Sequence, residues 1–449
     1  MTLPSKTART LAAALLATGL AACAAGTPAG AAVTPAATPT QSTPTGAPDT
    51  PAGRQLGWLL DAAARLPVPD AELARHFAAG FLQQIPPARV NQALAAYAGM
   101  RLDRLASSQD RSVQALVVAG GKAATLALTV DGAGLIDYLL FGAPAPTSWA
   151  ELERRLRAAA PQAGFLAAEL TGGGRCRPVH ALAPATTRPL GSMFKLYVLG
   201  AVAERIRQGA FGWDTPITIR PELKSLPAGR LQDRPDGSTV TVLEAARLMI
   251  SISDNTAADL LIHQAGRAAV ERTVRAWGGD AARDVPFLTT RELFVLKGAD
   301  YPHHARRYLS LGTAERRRYL ARVVDRVPLS AVTPWNEPRE LDRLEWFATP
   351  AGLCRAYAGL AELRDPRIGE IMSVNDAGLG LDPARWPRVW FKGGSEPGVL
   401  GLSFLARTAE GRTYVVALMG VSPEAPFDER TTGLELVALA RGAFTLAAG

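Results

Sequence analysis

Residues 192–202 read SMFKLYVLGAV, and this stretch decides how the C-terminal two thirds of the chain is interpreted. The apolar run after Lys195 predicts a buried helix. Ser192 stands at the start of that helix, where free backbone N–H groups and the positive end of the helix dipole favour a developing negative charge. Lys195 follows three residues later, so it lies one turn further along on the same face. The stretch therefore predicts a serine and a lysine in contact at a buried helix start.

The lysine at position 195 is informative because the chain uses lysine sparingly. Lysine and arginine together number 49, and only six of these residues are lysine. Burial disfavours a charged ammonium group and lowers its pKa from about 10.4 towards neutrality. A neutral lysine can take the proton of a serine hydroxyl, whereas arginine stays protonated. Alone, however, this pair also fits an ordinary N-cap serine followed by a first-turn lysine.

A second motif, Ser253-Asp254-Asn255, follows a helix that opens with the capping-box residues Thr241 and Glu244. Asp and Asn are favoured helix caps, which is the structural interpretation of the motif. In the functional interpretation, Ser253 relays a proton to a leaving group and Asn255 hydrogen-bonds a substrate amide.

A third motif, Lys392-Gly393-Gly394-Ser395, ends a predicted strand. Two glycines allow another backbone to approach a strand edge closely. Lys392 offers positive potential for a carboxylate, and the Ser395 N–H can complete an oxyanion hole with that of Ser192. A charged strand end followed by a glycine turn is the structural alternative.

Together the three motifs resemble S-x-x-K, S-D-N and K-T-G, the signature of class A β-lactamases and penicillin-binding proteins. The resemblance covers residues 147–449. It implies an acylated nucleophile, a general base, a proton relay, and residues that bind the substrate, with water attacking the acyl-enzyme and no metal or organic cofactor. By this resemblance Ser192 is the nucleophile, Lys195 the general base and Ser253 the proton relay. The residues that bind the substrate and its carboxylate are Asn255, Lys392, Gly394 and Ser395. The implied substrate is a small-molecule β-lactam or a cell-wall-derived compound.

The chain departs from the family pattern at two points. Gly393 replaces the middle threonine of the third motif, so a substrate-binding hydroxyl is missing there, and Ser395 is expected to compensate. The pattern E-x-x-L-N, which carries the Glu that activates the deacylating water, is absent from the sequence. Glu292 lies at about the right distance after Ser253, but it also completes a capping box with Thr289. Glu337 and Glu345 are further options that fit surface or packing residues better.

Three functions follow from these observations. The leading one is a serine hydrolase that opens a β-lactam amide, or a related amide or ester, through acyl-Ser192. The second is a D,D-peptidase or esterase of the same superfamily, and the third is a slowly deacylating penicillin-binding or sensing protein. A Ser-His-Asp triad and a zinc site are disfavoured, because the five histidines stand in no such motif and neither H-E-x-x-H nor paired C-x-x-C occurs.

The pattern of predicted elements indicates an α+β fold for residues 147–449. Strands are expected at 164–170 and 176–182, helices dominate from 192 to 364, and strands return at 389–393, 400–407 and 414–421. Strands at both ends of a helical middle suggest an antiparallel sheet closed by the two ends of the domain, with a helical subdomain inserted. The 139 residues between Ser253 and Lys392 exceed what class A enzymes need, so a helical insertion is expected around 297–341.

Residues 54–146 predict a small α+β domain. Helices are expected at 57–66, 71–83 and 90–101, followed by strands at 113–119, 123–130 and 135–141. This order resembles the cone-shaped domains of the NTF2/ketosteroid-isomerase superfamily, without a motif behind it, and a structural or docking role is the preferred interpretation. Pocket candidates would be His76, Asp131 and Asp137. The whole arrangement resembles the two-domain β-lactamase-like proteins of clavulanic acid gene clusters.

The N-terminal segment predicts export. Residues 1–23 combine a basic start, a short apolar stretch and Leu20-Ala21-Ala22-Cys23, which resembles a bacterial lipoprotein signal with Cys23 as the lipidated residue. Residues 24–53, rich in Ala, Pro and Thr, predict a disordered tether. We therefore expect a protein anchored to the membrane by its lipid. The net charge of +8 is scattered, so no nucleic-acid partner is expected. Cys176 and Cys354 can form a disulfide or remain two buried thiols.

Overall fold

The structure is a computed structural model that describes residues 46–226 and 228–449. The described residues divide into two compact units, 46–144 and 145–449. The predicted signal with Cys23, and most of the predicted tether, lie outside the described residues. Within the described part, no helix has the length and hydropathy needed to cross a membrane.

The N-terminal unit is four helices followed by a four-stranded antiparallel sheet in the order β1-β2-β3-β4. The helices are α1 Pro51–Ala63, α2 Asp70–His76, α3 Ala79–Gln84 and α4 Pro87–Ala95, and the strands are β1 Arg101–Gln109, β2 Ser112–Ala119, β3 Lys122–Val130 and β4 Ile136–Gly142. Alternating side chains of β2 are buried, as expected for a sheet with one covered face. Whether this unit is an NTF2-like cone stays a prediction.

The sequence prediction was wrong at two places in this unit. The single helix expected over 71–83 is interrupted at Phe77, whose extended backbone bridges Ile136. Strand β1 was missed, and part of the helix predicted for 90–101 proved to be turn and strand. The pairing of β1 with β2 shifts register twice, so the two-residue alternation that indicates a strand is broken in β1.

The C-terminal unit has a helical middle between strands that come from both of its ends. Its helices are α5 Trp149–Ala159, α6 Lys195–Arg207, α7 Val242–Ser251, α8 Asn255–Ala265, α9 Arg267–Ala276, α10 Thr290–Gly298, α11 His303–Leu309, α12 Thr313–Arg322, α13 Pro350–Glu362, α14 Pro366–Met372 and α15 Glu429–Ala448. Its strands are β5 Gln162–Thr171, β6 Arg175–Leu182, β7 Arg188–Pro189, β8 Pro216–Thr218, β9 Thr239–Thr241, β10 Phe347–Ala348, β11 Arg388–Glu396, β12 Val399–Arg407 and β13 Thr413–Val421. Helices α11 and α12 fall within the predicted insertion.

The main sheet is antiparallel throughout, with the strand order β11-β12-β13-β5-β6. The predicted closure of one sheet by both ends of the domain is therefore confirmed. One face packs against α5 and α15 around Phe165 and Phe404, and the opposite face packs against the helical middle around Leu166 and Met193. Strand β11 is an edge strand of this sheet, which leaves one side of its backbone free for other contacts.

Cys176 and Cys354 form a disulfide that joins β6 to α13. The sequence alone left this pairing open. On the same helix, Tyr357 donates to the backbone oxygen of Ser403 at 2.7 Å, and the Ser403 hydroxyl donates to the backbone oxygen of Lys392 at 2.7 Å. Helix α13 is thus connected to both the far edge of the sheet and strand β11.

Candidate active site

Ser192 lies in a 3₁₀ turn, Gly191–Phe194, that runs directly into α6. The turn is fixed on the side of Trp346, whose backbone oxygen accepts the Leu190 N–H at 2.8 Å and whose ring stacks on Phe194 at 3.8 Å. Ser192 itself is half-buried, while Phe194 and Lys195 on either side of the turn's end are buried. The serine hydroxyl is therefore held in a rigid setting and remains accessible.

The Lys195 amine contacts the hydroxyl groups of both predicted catalytic serines. Its Nζ lies 3.2 Å from Ser192 Oγ and 3.1 Å from Ser253 Oγ. It also donates to the Ser253 backbone oxygen at 2.5 Å and to Asn255 Oδ1 at 2.8 Å. The contact between Ser192 and Lys195 is the one that their spacing in the sequence predicts.

Burial lowers the pKa of Lys195 to about 7, against the opposing influence of the Asp254 and Asp259 carboxylates. Lys195 is therefore present in both its neutral and its charged form at physiological pH. The Ser253 backbone oxygen and Asn255 Oδ1 can only accept hydrogen bonds, so they take the two N–H bonds of a neutral amine. The remaining lone pair is then available to the Ser192 hydroxyl proton, which is the arrangement a general base requires.

Ser253 lies between α7 and α8 in a strained conformation, with a φ of +58° that serines rarely adopt. Such strain costs about 1–3 kcal/mol and persists where surrounding contacts hold it. Those contacts come from Asp254, which caps α8 by accepting from Ala257 N at 2.8 Å and also accepts from the Arg230 and Leu231 amides at 2.6 and 3.0 Å. In this conformation the Ser253 hydroxyl contacts the amines of both Lys195 and Lys392.

Asn255 holds Lys195 in place. Its Oδ1 accepts from Lys195 Nζ, and its Nδ2 donates to the Leu226 backbone oxygen at 3.2 Å. Asn255 as a whole is 7% exposed. The structure thus assigns Asn255 a positioning role, and only the second N–H of its amide is left for the predicted contact with a substrate.

Lys392 is buried, and its Nζ donates to Ser253 Oγ at 3.1 Å and to the Gly393 backbone oxygen at 2.7 Å. Burial and the neighbouring Lys195 charge lower the pKa of Lys392 well below its ordinary value. Its hydrogen bond to Ser253 connects the second and third motifs. Its value as a cation for a substrate carboxylate is smaller than the sequence suggested, because two buried lysines this close together resist carrying charge at once.

Gly394 lets strand β11 lie directly against the Ser192 turn. A methyl group at Gly394 would lie 2.1 Å from the Leu190 backbone oxygen and 2.8 Å from Ser192 N, and one at Gly191 would lie 2.9 Å from Ser395 N. The amides of Ser192 and Ser395 are therefore neighbours at the mouth of the site. A two-amide oxyanion hole requires two backbone N–H groups on neighbouring segments such as these.

The Ser395 side chain behaves differently from its prediction. Its side chain lies near the Glu429 carboxylate at the start of α15. Burial raises the pKa of Glu429, and the nearby Ser395 side chain opposes that rise. The hydroxyl expected to compensate for Gly393 therefore has an acidic neighbour, and the backbone N–H of Ser395 is its clearest contribution to the site.

Glu292, the deacylation candidate from the sequence, is committed to structural contacts. Its carboxylate accepts from Thr289 N at 2.7 Å, which completes the capping box, and from both terminal nitrogens of Arg267 at 3.0 and 2.6 Å. The structural interpretation of Glu292 is confirmed. None of the hydrogen bonds described for Glu292 reaches Ser192 or Lys195.

The sequence analysis missed an ion-pair cluster formed by Lys297, Glu345 and Glu396. Lys297 Nζ lies 3.1 Å from Glu345 Oε1 and 2.6 Å from Glu396 Oε1. Glu396 directly follows Ser395, and Glu345 directly precedes Trp346, so both carboxylates adjoin residues that hold the Ser192 turn. The scarcity of lysine, which drew attention to Lys195, was an equally available signal for Lys297.

The pocket candidates of the N-terminal unit are each engaged within that unit. His76 stacks on Trp58 at 3.9 Å and contacts Gln55 Oε1 at 2.9 Å. Asp131 caps a turn through the Ala133 and Leu135 amides, and Asp137 accepts from Thr129. Among the described residues of the whole chain, no group of three or more His, Cys, Asp or Glu side chains is arranged to hold a metal ion.

Two family models match parts of this chain. Residues 148–313 match the family model described as the Beta-lactamase enzyme family, and residues 47–136 match the one described as ORF 12 gene product N-terminal. No curated protein matches the chain. The resemblance of the N-terminal unit to NTF2-like cones stays a prediction, as does the resemblance of the whole arrangement to proteins of clavulanic acid gene clusters.

Solved structures similar to this chain include the following three. The structure of PBP-A shares 20% identity, covering 68% of this chain and 98% of that one, at a TM-score of 0.43. A β-lactamase from Sphaerobacter thermophilus DSM 20745 shares 20% sequence identity over 67% of this chain and 97% of that one, at a TM-score of 0.44. A β-lactamase from Burkholderia vietnamiensis shares 18% sequence identity over 66% of this chain and 96% of that one, at a TM-score of 0.46.

Proposed function

We propose that this chain, a serine hydrolase whose residues 148–313 carry a domain of the β-lactamase enzyme family, opens a β-lactam amide through an acyl-Ser192 intermediate. The observation that carries the proposal is the Lys195 amine, buried, 3.2 Å from Ser192 Oγ, and with its pKa lowered to about 7. A neutral amine in that position converts a weakly nucleophilic hydroxyl into an effective nucleophile.

The acylation step follows from the contacts of the site. Lys195 takes the proton of Ser192 as Oγ attacks the amide carbon, and the amides of Ser192 and Ser395 stabilise the oxyanion that forms. Ser253, in contact with both Lys195 and Lys392, passes its proton to the leaving nitrogen and takes in exchange the proton held by Lys195. The C–N bond then breaks and leaves the acyl group on Ser192.

A second candidate is a D,D-peptidase or esterase of the same superfamily. Strand β11 is an edge strand with two successive glycines, so an extended peptide can pair with it as an added strand. The commitment of Glu292 to Arg267 and Thr289 favours a third possibility, in which the acyl-enzyme forms but hydrolyses slowly.

One experiment separates these functions. The full chain is mixed with benzylpenicillin or a chromogenic cephalosporin, and intact mass and colour are followed together. Repeated turnover with little persistent adduct supports the β-lactamase. A stable adduct with one equivalent of colour supports slow deacylation and a penicillin-binding role. No adduct and no colour would overturn the β-lactam proposal and leave peptides and esters as substrates.

We further propose that the protein is exported and anchored by a lipid on Cys23. The Cys176–Cys354 disulfide supports an oxidising location, because such bonds persist mainly outside the cytosol. Labelling cells with a fatty-acid analogue tests the anchor. The wild-type chain should incorporate the label and Cys23→Ser should not, and equal labelling of both would refute the assignment.

A further inference from the structure

The ion-pair cluster of Lys297, Glu345 and Glu396 contains no group that reacts in the acylation step. Lys297 and Glu345 are almost completely buried, whereas 10% of the Glu396 side chain is exposed. Taking such charges out of water is costly, and hydrophobic side chains of similar volume often stabilise a fold at least as well. Stability alone therefore does not explain the cluster, whereas the segments that it joins do.

One carboxylate of the cluster belongs to the segment that supports the Ser192 turn. Glu345 directly precedes Trp346 and accepts from its amide at 3.3 Å. The Trp346 backbone oxygen accepts from Leu190 N at 2.8 Å, and the Trp346 ring stacks on Phe194 at 3.8 Å. Both contacts are made with residues that flank Ser192. Glu345 is thus attached to the segment that fixes where the nucleophile lies.

The other carboxylate belongs to the strand that carries the second amide of the oxyanion hole. Glu396 directly follows Ser395 on β11. On the other side of Ser395, Gly394 lies so close to the turn that a methyl group there would be 2.1 Å from the Leu190 backbone oxygen. The Ser395 amide therefore lies between a close backbone contact and a residue that is bound by an ion pair. Its position depends on both.

Lys297 joins these two segments. Its Nζ lies 3.1 Å from Glu345 Oε1 and 2.6 Å from Glu396 Oε1. The lysine is itself held near the end of α10, where its backbone oxygen accepts from Arg339 Nη1 at 2.7 Å. One ammonium group therefore fixes the distance between the support of the nucleophile and the strand that carries the second oxyanion donor.

The partners of Lys297 keep it charged. Burial alone would lower its pKa, but the Glu396 and Glu345 carboxylates outweigh burial and the pKa is raised. Burial and Glu345 raise the pKa of Glu396, against the opposing influence of Lys297. An oxygen of Glu396 accepts from the ammonium group whether that carboxyl is ionised or protonated. The connection between the two segments therefore requires no proton to move.

Resting on the hydrolase function proposed above, we propose that Lys297 is a positioning residue, which sets the oxyanion hole by holding Glu345 and Glu396 together. It acts through the placement of the Ser192 and Ser395 amides and exchanges no proton with the substrate. Donors of this kind stabilise the transition state when they are held in advance at the place where its negative charge develops. The buried ion pairs thus serve the precision of the site.

The test compares variants of the full chain by their rate of acylation and by their affinity for phenylboronic acid. The boronic acid adds to a serine oxygen as a tetrahedral adduct that resembles the transition state, so its affinity reports on the oxyanion hole. Acylation by benzylpenicillin or by p-nitrophenyl acetate is followed by intact mass, and the Ser192→Ala background is subtracted. The acetate ester is included because it can acylate the serine whatever the natural substrate is.

Lys297→Met should lower the acylation rate and the affinity for phenylboronic acid together, each by about 10- to 100-fold, since small misplacements of catalytic groups have effects of that size. Glu396→Ala removes the partly exposed member of the cluster and should have the same two effects, so the test stands even where Lys297→Met does not fold. Glu396→Gln keeps an oxygen that accepts from Lys297 and should stay within a few-fold of wild type.

Arg317→Met is the matched control. It removes the cation of Glu271, another buried carboxylate, which is paired with Arg317 at 2.7 Å, and it should cost stability without changing the affinity for phenylboronic acid. A purely structural role for Lys297 would give this same pattern. Lower stability with unchanged affinity in Lys297→Met or in Glu396→Ala would overturn the proposal, as would a Glu396→Gln variant as impaired as Glu396→Ala.

The outcomes also distinguish this proposal from the hydrolase function on which it rests. Variants that are acylated and bind phenylboronic acid as the wild type does overturn the role of Lys297 and leave the hydrolase intact. A wild-type chain that takes an acyl group on Ser192 from neither compound overturns both proposals.

Discussion

The Ser192 pocket and the Lys297 cluster each enclose one lysine that is 0% exposed. Strand β11 contributes Lys392 to the first region and Glu396 to the second. Lys195 is surrounded by hydroxyl, carbonyl and amide oxygens, and burial lowers its pKa to about 7. Lys297 is bound by two carboxylates, which raise its pKa in spite of equal burial. Burial makes a charge unfavourable in both places, and the groups that contact the amine determine whether it stays charged. One lysine is prepared to exchange a proton and the other to keep it.

The largest expected effect comes from removing the nucleophile Ser192. Ser192→Ala should lower hydrolysis of any substrate by about 10⁴-fold or more, because the nucleophile and its base act as a unit. Turnover of a chromogenic cephalosporin and intact mass measure the loss. Ser310→Ala, which removes an exposed hydroxyl, is the control. Activity that survives in Ser192→Ala would show that Ser192 is not the nucleophile.

Replacing each lysine with methionine should separate the two regions. Lys195→Met should slow acylation by about 10³-fold, since it removes the general base. It should lower the free energy of unfolding by only about 1–3 kcal/mol, because it leaves neutral acceptors without a donor. Lys297→Met should cost about 3–5 kcal/mol, because it leaves buried carboxylates without their cation.

Urea denaturation of both methionine variants measures this contrast. A larger loss of stability in Lys195→Met than in Lys297→Met would show that the assignment of the neutral and charged lysines is reversed.

Gly394→Ala should disturb the Ser192 pocket alone. The added methyl group would lie 2.1 Å from the Leu190 backbone oxygen, so strand and turn must separate. We expect acylation to fall by about 100-fold, since removing one oxyanion-hole donor has effects of that size. Burst kinetics with a chromogenic cephalosporin give the acylation rate. Gly369→Ala is the matched control, because a methyl group there meets no atom within 4 Å. Equal rates in the two variants would contradict the close approach of β11.

The pH profile should report the proton that Lys195 exchanges. The reactive form is the neutral amine, so acylation should be constant above pH 7 and fall about tenfold for each unit below it. The profile of kcat/KM between pH 5 and 9 tests this expectation. Lys297→Met should keep the same acidic limb, because its charge lies outside the acylation step. A flat profile would contradict the lowered pKa of Lys195. A limb that shifts in Lys297→Met would show that the two regions titrate together.

Much of the Ser192 pocket was predictable because its signals are local. The spacing of Ser192 and Lys195 predicts their contact, the apolar run after them predicts burial, and the scarcity of lysine marks the pair. The antiparallel sheet was predictable for a similar reason, since its strands show continuous apolar runs. These features depend on residues within a few positions of one another in the sequence.

What the sequence could not give depends on contacts between distant residues. Lys297 meets partners 48 and 99 positions away, and no local pattern connects them. The approach of Glu429 to Ser395 and the depressed pKa of Lys392 likewise depend on residues that are distant in the sequence. Strand β1 was missed for a different reason, because its bulges interrupt the alternation on which strand prediction depends.

The disulfide joins Cys176 to Cys354, which are 178 positions apart, and closes the chain between them into a covalent ring. Ser192, Ser253 and Lys297 lie inside the ring, whereas Lys392 and Glu396 lie outside it. A protease that cuts one exposed loop within the ring leaves two pieces that are still bonded to each other. The nucleophile and the strand that faces it would then part only after both a cut and a reductant, so a nicked chain can persist as one molecule wherever thiols are scarce.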